Sequence, residues 1–441
     1  QGGALASLQA TLHGGLSALT DKAATLPYEA RLSTHGLDVR RFMPSMGVGP
    51  LTADVRLHGT GMPLDGSMVA DVQLHSATYD QWKIDNVQVQ ATVDSRHLTL
   101  NAKSENNLLR GTVDVDAHLA DNDVRATVST HLQYVDLYAL GLVDNPTVVG
   151  LDGDFDLSTD TKQHHHLTAV MDNICIRDSV KTHYPEKTGV LLKTSADTTI
   201  VRLQSGDFIV KADAQGSYEQ LFPRLGILAD SIGAQLNTRT IDQSAIKALL
   251  PTGRLYITAQ RGNPLAAILN AQTGIVFDQL DINLNTSPQS GINGQVDVLK
   301  LNTGSMLLDS IRLSLVEKTR GLTFNGYVAN AKRNPTGTFR ILFDGFLQQH
   351  GASLGMRYFD EQGLQNIRIG SKVEMVSLPG RNGDETGLRF QLIPSRPTLG
   401  YKEFALNADN YLLLRNNLRI EANVNLLADD GTRILIYSGN S

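Results

Sequence analysis

The amino-acid sequence predicts an all-β protein: an elongated, repetitive antiparallel β structure that forms an open groove with an aliphatic interior and carries a few short helices. Three observations lead to this prediction. Apolar and polar residues alternate along most of the 441 residues, turn residues interrupt the alternation about every ten residues, and parts of the pattern recur along the chain. A doubly wound α/β fold would need long helices between its strands, and the sequence does not show them.

The alternation is clearest in five runs. In the first, Leu51, Val55 and Leu57 alternate with polar residues such as Asp54 and Arg56. The other four cover residues 87–94, 111–119, 151–157 and 418–426. Because successive side chains of a strand point to opposite faces, each run predicts a strand that is solvated on one face only. The turns that separate such strands are expected at residues 59–61, 120–123, 288 and 429–431.

Helical signals are few and short. The three candidate helices cover residues 4–19, 242–250 and 263–269. Gly14 and Gly15 weaken the first candidate. Asn263 as the N-cap and Pro264 as the first helical residue support the third. We divide the chain into a short helix with entry strands (1–50), a β-repeat segment (51–262) and a second β-repeat segment of the same elongated body (263–441).

Two internal repeats are visible. A shift of 224 positions aligns residues 72–101 with residues 296–325 without a gap, so that Val72 meets Val296 and Asp85 meets Asp309. A looser element, an Asp in a short apolar helix-like run followed by a Gly-led amphipathic strand, recurs at residues 38–57, 136–157 and 242–257. Repeats of this kind are typical of quasi-one-dimensional proteins.

The composition excludes some classes of function. The formal net charge is −6 and Lys and Arg do not cluster, so nucleic-acid binding is not expected. The single cysteine, Cys175, can form neither an internal disulfide nor a thiolate metal cluster. No stretch approaches about 18 consecutive apolar residues, so no membrane-spanning helix is predicted. The chain opens at Gln1 without a signal pattern and stops soon after a strand-like run, which we interpret as a fragment of a longer protein.

Motifs that suggest chemistry are incomplete. Ser244 and Lys247 fit S-x-x-K, but the companion motifs are missing or in the wrong order, which favours two exposed positions on a short helix. Asp152 begins an acidic run that lacks the Gly and the final acidic residue of a calcium loop. The run from His164 to His166 has no acidic or Cys partner at a diagnostic spacing. We therefore predict that the protein is not an enzyme and uses no cofactor or metal.

The aliphatic face of the predicted β structure needs a cover, and two arrangements fit the alternation. Two sheets could close as a dry sandwich, or the sheet could curl into an open groove for acyl chains. The repeat and the low aromatic content of 6% favour the groove. The residues expected to line it, each of which also fits ordinary sheet core, are Leu51, Val55, Leu57, Val72, Leu74, Val87, Val89, Leu98, Leu100, Val113, Val115, Phe155, Ile311, Leu313, Phe324, Leu406, Ile420 and Val424.

Three segments resemble a known protein family. The sequences GPLTADVRL at 49–57, GLDGDFDL at 150–157 and RIEANVNLLADDGT at 419–432 are similar to the TamB family within the AsmA-like group, in the form found in Bacteroidetes. The similarity extends over most of the chain, and it lies in patterns of strands and turns rather than in catalytic signatures.

The resemblance implies a segment of a β-taco, a folded sheet with a hydrophobic interior that spans the periplasm. Members of the family are anchored in the inner membrane by one N-terminal helix. They work with an Omp85-type barrel of the outer membrane, TamA or its lipoprotein relative. They are implicated in phospholipid transport and, historically, in the assembly of outer-membrane proteins. Neither an anchor helix nor a barrel-binding region is identified in this sequence, which would therefore be an internal periplasmic segment.

We therefore expect a non-enzymatic bridge segment that conducts phospholipid between the inner and outer membranes and supports outer-membrane biogenesis. Its partners would be phospholipid acyl chains and, through regions outside this sequence, a TamA-like barrel, but not nucleic acid. Two alternatives stay open. One is a chaperone-like scaffold that offers strand edges to outer-membrane β-proteins, and the other is an adhesin or spacer built from β repeats.

Overall fold

A computed structural model describes residues 5–13, 26–41, 47–61, 66–79, 81–238, 240–380, 383–415 and 419–438. Strands account for 67% of the structure and helices are few, which confirms the predicted all-β antiparallel class. The chain divides into two compact units. Unit 1 comprises Gln1–Ala196 and Ile200–Gly206, and unit 2 comprises Asp197–Thr199 and Asp207–Ser441. The boundaries predicted at residues 51 and 263 stay predictions.

The described part of unit 1 consists of strands and a short 3-10 turn at Val39–Arg41. The strands are β1 (Leu5–Leu12), β2 (Pro27–Asp38), β3 (Val48–Thr60), β4 (Ser67–Tyr79), β5 (Trp82–Asp94), β6 (His97–Glu105), β7 (Leu109–Ala120), β8 (Asp123–Asp136), β9 (Val148–Thr159), β10 (His165–Arg177), β11 (Thr182–His183) and β12 (Thr188–Thr194). A further strand, β13 (Thr198–Ser205), has residues in both units.

Unit 1 is an up-and-down meander. Each strand from β1 to β10 pairs antiparallel with the next, and β10 also pairs with β11 and β12. The connections are short, as the turn residues predict. Ala120 pairs with Asp123 across a two-residue turn in which Asn122 has a φ of 58°. Asn tolerates this left-handed conformation better than most other residues do.

The described part of unit 2 contains strands and three helices. Its elements are β14 (Phe208–Gln215), α1 (Tyr218–Thr238), α2 (Gln243–Leu249), β15 (Gly253–Gln260), α3 (Pro264–Thr273), β16 (Gln279–Ser287), β17 (Gly291–Asn302), β18 (Leu307–Lys318), β19 (Gly321–Asn330), β20 (Phe339–Gln348), β21 (Gly351–Phe359), β22 (Gln365–Gly380), β23 (Gly383–Leu399), β24 (Lys402–Leu406), β25 (Tyr411–Leu414), β26 (Ile420–Ala428) and β27 (Arg433–Tyr437).

The strands of unit 2 continue the up-and-down pattern from β14 to β23. After β23 the pattern changes, because β23 pairs with both β24 and β25, and β26 joins the same two strands before pairing with β27. Two small clusters of buried apolar residues lie in the described part of this unit. One joins Phe404 and Val424 at β24 and β26, and the other packs Ala266 of α3 against Ala259 and Phe277.

Two of the predicted helices are confirmed. The side chain of Asp242 caps α2 by accepting a hydrogen bond from the backbone N–H of Ala245 at 2.9 Å. Helix α3 begins at Pro264, and Asn263 Oδ1 accepts a hydrogen bond from the N–H of Leu265 at 2.9 Å. In both cases the cap satisfies a donor that the first helical turn leaves without a partner.

The helix predicted over residues 4–19 is wrong for residues 5–12, which form strand β1. Leu8, Ala10 and Leu12 of this strand are register partners of Leu32, Ala30 and Tyr28 of β2. Pairing with β2 therefore stabilises residues 5–12 as a strand, and this tertiary interaction outweighs their weak intrinsic helix propensity. Residues 14–19 of the predicted helix lie outside the described residues.

Helix α1 was not predicted, although it has 21 residues. Pro223, Gly226 and Gly233 lower its intrinsic helix propensity. A signal was nevertheless present, because Ser217 and Gln220 have the spacing of a capping box.

The repeat with a shift of 224 residues is confirmed as three equivalent strands. Strands β4, β5 and β6 correspond to β17, β18 and β19. The pairing is also equivalent, because Val72 faces Val89 in the first copy and Val296 faces Leu313 in the second. Two copies of the looser element share a local contact, since Asp136 and Asp242 each accept a hydrogen bond from the N–H three residues later, at 2.9 Å. The copy that begins at Asp38 continues into residues 42–46, which lie outside the described residues, and stays a prediction.

Candidate functional site

The predicted lining residues of unit 1 meet in continuous apolar rows that run across the strands. One row contains Leu57, Leu100, Val115 and Phe155, which neighbouring strands place in register. In chain order, the row consists of Ala10, Ala30, Leu57, Ala70, Ala91, Leu100, Val115, Val128, Phe155, Ala169 and Val190. At about 4.8 Å between strands, it extends roughly 48 Å from β1 to β12.

A second row lies two residues along each strand from the first. It contains the predicted lining residues Val55, Val72, Val89 and Val113. The row consists of Leu8, Leu32, Val55, Val72, Val89, Ala102 and Val113. The remaining predicted residues of this unit flank the two rows on the same face, with Leu74 paired to Val87 and Leu98 paired to Val93. Leu51 pairs with Ala77.

The apolar face of unit 1 is only partly buried. The fully buried apolar residues in its described part are mostly small: Ala53, Ala70, Ala77, Val93, Ala117, Ala169 and Ile174. The larger side chains of the two rows, such as Val55, Leu57 and Leu100, are half-buried. A second sheet packed on this face would bury large and small residues alike. The described part of unit 1 contains no α-helix that could cover the face.

In unit 2 the predicted residues Ile311, Leu313 and Phe324 lie on neighbouring positions of β18 and β19. Each is half-buried. Ile311 pairs with Val298 and Leu313 with Val296, which repeats the pairing of unit 1. Three strands of this unit therefore carry the same apolar rows as their repeat partners.

Phe324 and Phe343 cover glycines on neighbouring strands. Phe324 faces Gly345, and Phe343 faces Gly326. A Cβ atom at Gly326 would lie 2.6 Å from the ring of Phe343, and a Cβ atom at Gly345 would collide with the ring of Phe324. The rings thus occupy the space that the glycines leave free on the apolar face.

The three remaining predicted residues lie near the last strands of unit 2. Val424 is only 2% exposed and packs with Phe404 and Leu426, and half-buried Leu406 packs against the same cluster. These two residues thus take part in ordinary sheet core. Ile420 begins β26 and is 56% exposed, so it does not share the burial of Val424.

Helices cover the sheet of unit 2 at two places. Helix α3 buries Ala266 completely, with Leu280 and Val298 packed against the same cluster. Helix α2 lies near β19 and β20. Between α1, α2 and these strands is a cavity of about 360 Å³, lined mainly by aliphatic side chains such as Leu250, Leu322 and Leu347. The sequence analysis missed this cavity.

The cavity contains a buried charge pair. The Glu317 side chain is only 5% exposed, and its carboxylate lies 3.2 Å from Lys247 Nζ. Gln243 Nε2 donates to both carboxylate oxygens, at 2.9 and 3.2 Å. The sequence analysis predicted two exposed positions on a short helix. Ser244 is exposed as predicted, whereas Lys247 is partly buried. Lys247 turns inward because the buried carboxylate of Glu317 needs a partner.

The polar face of unit 1 carries aspartates paired with histidines from neighbouring positions. His75 Nε2 lies 2.9 Å from Asp54, and His97 Nε2 lies 3.0 Å from Asp116. Hydrogen bonds from Ser33 and His75 lower the pKa of the Asp54 carboxyl. These groups are about half exposed, so they contribute little stability and act mainly as a solvated face.

One such pair is buried. His183 is 3% and Asp178 14% exposed at the side chain, and His183 Nε2 lies 2.9 Å from Asp178 Oδ2. The backbone N–H groups of Val180 and Lys181 also donate to Asp178. The N–H of Lys181, with the help of His183 and Val180, lowers the pKa of Asp178 to about 2.

Open depressions lie on the polar face of unit 1. One of them, about 860 Å³, is lined by residues of both charges, among them Arg31, Arg56 and Lys103 beside Asp54 and Asp114. Mixed charges at such exposed positions are typical of a solvated sheet surface. They do not form the one-sided charge pattern that attracts an ionic ligand.

Among the described residues, no group of three or more His, Cys, Asp or Glu side chains is arranged to hold a metal ion. No helix in this part of the chain combines the length and apolar composition needed to cross a membrane. His164 contacts Asp160 at 2.8 Å, and the N–H groups of residues 162–164 donate to the same Asp160 carboxylate, which forms a local turn.

The half-exposed apolar rows of unit 1 are therefore the candidate functional site, and the cavity under α1 and α2 is a second feature of note. Comparison of the chain with known protein families, with curated proteins and with solved structures finds no match.

Proposed function

We propose that this chain is a non-enzymatic segment of a periplasmic bridge that conducts phospholipid by holding acyl chains on its apolar rows. One observation supports this function most strongly: the row from Ala10 to Val190 is continuous over the strands of unit 1, yet its larger side chains are only half-buried. A large apolar surface that stays partly exposed indicates a site for an apolar partner.

The physical role of such a row is to remove the barrier for a lipid tail in water. Exposing an acyl chain of about sixteen carbons costs roughly 12 kcal/mol, at about 0.8 kcal/mol per methylene. Rows of Val, Leu and Ala provide apolar contact at every strand, so a chain can move from one strand to the next without full exposure. This passage needs no covalent step, which fits a conduit rather than an enzyme.

The wider setting rests on the resemblance to the TamB family. Under this proposal the segment lies in the periplasm, within a protein that is anchored in the inner membrane and meets an Omp85-type barrel through other regions. The solvated polar face, with pairs such as His75–Asp54, would keep such a bridge soluble between the two membranes.

The proposal is tested by native mass spectrometry and lipid extraction on the purified chain. The variant Val89→Asp with Leu100→Asp places two charges on the apolar rows. The matched control, Gln88→Asp with Thr92→Asp, places the same charges on two exposed positions of β5. We expect wild type and control to retain phospholipid and the first variant to lose it.

Circular dichroism would show that both variants are folded. Phospholipid that stays bound to a folded Val89→Asp, Leu100→Asp protein contradicts the proposal, and so does a wild-type protein that never holds lipid.

A second candidate function, a scaffold for outer-membrane β-proteins, is favoured by the edge strand β27. Within the described chain, β27 pairs only with β26. Leu435, Ile436 and Tyr437 are each at least 49% exposed. An exposed apolar edge is a template for strand addition. Under this function, Leu435→Pro should abolish the binding of a β-hairpin peptide from an outer-membrane barrel, whereas the charges at Val89 and Leu100 should leave it unchanged.

A further inference from the structure

We infer that the cavity beneath α1 and α2 in unit 2 is a binding site for one end of a single aliphatic chain. This site is separate from the rows of unit 1, and the inference does not depend on their function. Its walls come from α1, α2 and the strands β17 to β20.

The lining determines the chemical class of the ligand. Ile246 and Leu250 face the cavity from α2 and its C-terminal end, and Leu322 and Leu347, which are register partners on β19 and β20, face it from the sheet. Contact with these aliphatic side chains favours an apolar ligand, because burial of each methylene is favourable.

The polar groups of the lining are already engaged within the protein. Gln235 exchanges hydrogen bonds with the backbone of Asp242, donating to its carbonyl at 3.1 Å and accepting from its N–H at 2.9 Å. Glu317 is paired with Lys247 and Gln243. A water molecule needs two to four polar partners to stay in a cavity. The lining thus favours an aliphatic chain over water or a polar head group.

The volume limits the ligand to one chain end. The cavity measures about 360 Å³, which is within the range of small-ligand sites. At about 30 Å³ for a group the size of a water molecule, it has room for roughly twelve methylene-sized groups. Ile232 of α1, at 42% exposure, lies at the open side of the cavity, where the rest of a longer chain would leave.

The affinity test uses cis-parinaric acid, a fluorescent long-chain fatty acid, titrated into the purified chain. Leu347→Trp places a larger side chain in the cavity and reduces its volume. Leu354→Trp makes the same change at a position of the next strand that is 51% exposed. Each methylene that loses its burial weakens binding about fourfold. We expect about fifteenfold weaker binding for Leu347→Trp, from the loss of two methylenes, and less than twofold change for Leu354→Trp.

A second measurement does not depend on the folding of Leu347→Trp. Ile232→Trp places an indole at the open side, and a brominated stearic acid quenches indole fluorescence on contact. We expect strong quenching in Ile232→Trp and only the wild-type level, from Trp82 of unit 1, in Leu354→Trp. Wild type that binds no fatty acid, unchanged affinity in a folded Leu347→Trp protein, or an unquenched indole in Ile232→Trp each overturns the inference.

The outcome is distinguishable from that of the proposed function. Val89→Asp with Leu100→Asp should abolish phospholipid retention by unit 1 and leave quenching in Ile232→Trp intact. If the indole of Ile232→Trp is not quenched while the wild-type protein retains phospholipid, only the cavity site is overturned.

Discussion

The carboxamide of Asn330 accepts a hydrogen bond from the backbone N–H of Asp309 at 2.9 Å. Asn330 Nδ2 also donates to the carbonyl of Leu307 at 3.1 Å. Asn106 lies 224 residues earlier and makes the corresponding contact, because its Nδ2 donates to the carbonyl of Lys83 at 3.4 Å. Both asparagines are at most 4% exposed. The two copies of the repeat therefore share more than an apolar pattern. In each copy a buried asparagine, which we call the polar clamp, joins the end of the third strand (β6 or β19) to the start of the second (β5 or β18).

The clamp predicts the effect of Asn330→Ala. Removing the carboxamide leaves the Asp309 N–H and the carbonyl of Leu307 without this partner in a buried place. We expect a loss of about 1–3 kcal/mol in the free energy of unfolding, measured by urea denaturation. Asn325→Ala, an exposed position in the same strand, is the control and should change stability by less than about 0.5 kcal/mol. Equal effects of the two substitutions would contradict the clamp.

The packing of Phe324 over Gly345 predicts a position-dependent response to added methyl groups. Gly345→Ala places a Cβ atom against the ring of Phe324 and 2.5 Å from the carbonyl of Ser353. We expect about 1–3 kcal/mol of destabilisation from overpacking. Gly355→Ala on the next strand brings its Cβ no closer than 3.4 Å to Asp344. It should be neutral or stabilising by about 0.5–1 kcal/mol. The measurement is the thermal unfolding of wild type and both variants. A Gly345→Ala protein as stable as wild type would contradict the close packing.

The buried pair of Lys247 and Glu317 predicts strong coupling in a double-mutant cycle. Lys247→Met removes the cation and leaves a buried carboxylate, which should cost about 3 kcal/mol or more. Lys247→Met combined with Glu317→Leu removes both charges, and its stability should return to within about 1 kcal/mol of wild type. The measurement is urea denaturation of wild type, both single variants and the double variant. Additive effects would show that the two side chains do not interact.

The depressed pKa of Asp178 predicts an acid-dependent contribution to stability. Its folded pKa of about 2 lies below the ordinary value of 3.8. The stabilisation is therefore fully present above that ordinary value and is lost as the pH falls toward 2. Asp178→Asn should cost roughly 1–2 kcal/mol at pH 7, and this cost should shrink as the pH approaches 2.

The test for Asp178 is the urea midpoint of wild type and variant measured between pH 7 and pH 2. Asp156→Asn, an exposed position on β9, is the control and should leave the midpoint nearly unchanged at every pH. A cost for Asp178→Asn that stays constant over the whole range would contradict the assignment.

Much of the β structure was predictable because its signals are local. Alternation at residues such as Val87 and Val89 places apolar side chains on one face whichever strand pairs with it. The caps of α2 and α3 were predictable for the same reason, since Asp242 and Asn263 act on backbone groups within three residues.

Other features depend on residues far apart in the chain. Strand β1 replaced a predicted helix because β2 was available as its partner. The pairing of Lys247 with Glu317 joins residues 70 positions apart, so their spacing in the sequence carried no signal. The exposure of Ile420 and the burial of Val424 on the same strand likewise depend on what packs around each end of β26.

The sequence by itself determined which face of each strand is apolar, where the tight turns fall and which strands repeat. These properties follow from the two-residue period of a strand and from short-range hydrogen bonds. Only the tertiary structure decided how the apolar residues line up, because a shift of register by one residue would move them to the other face. It also decided that the larger side chains of unit 1 stay half-buried while α2 and α3 cover the sheet of unit 2, since burial depends on the neighbours that the fold brings together.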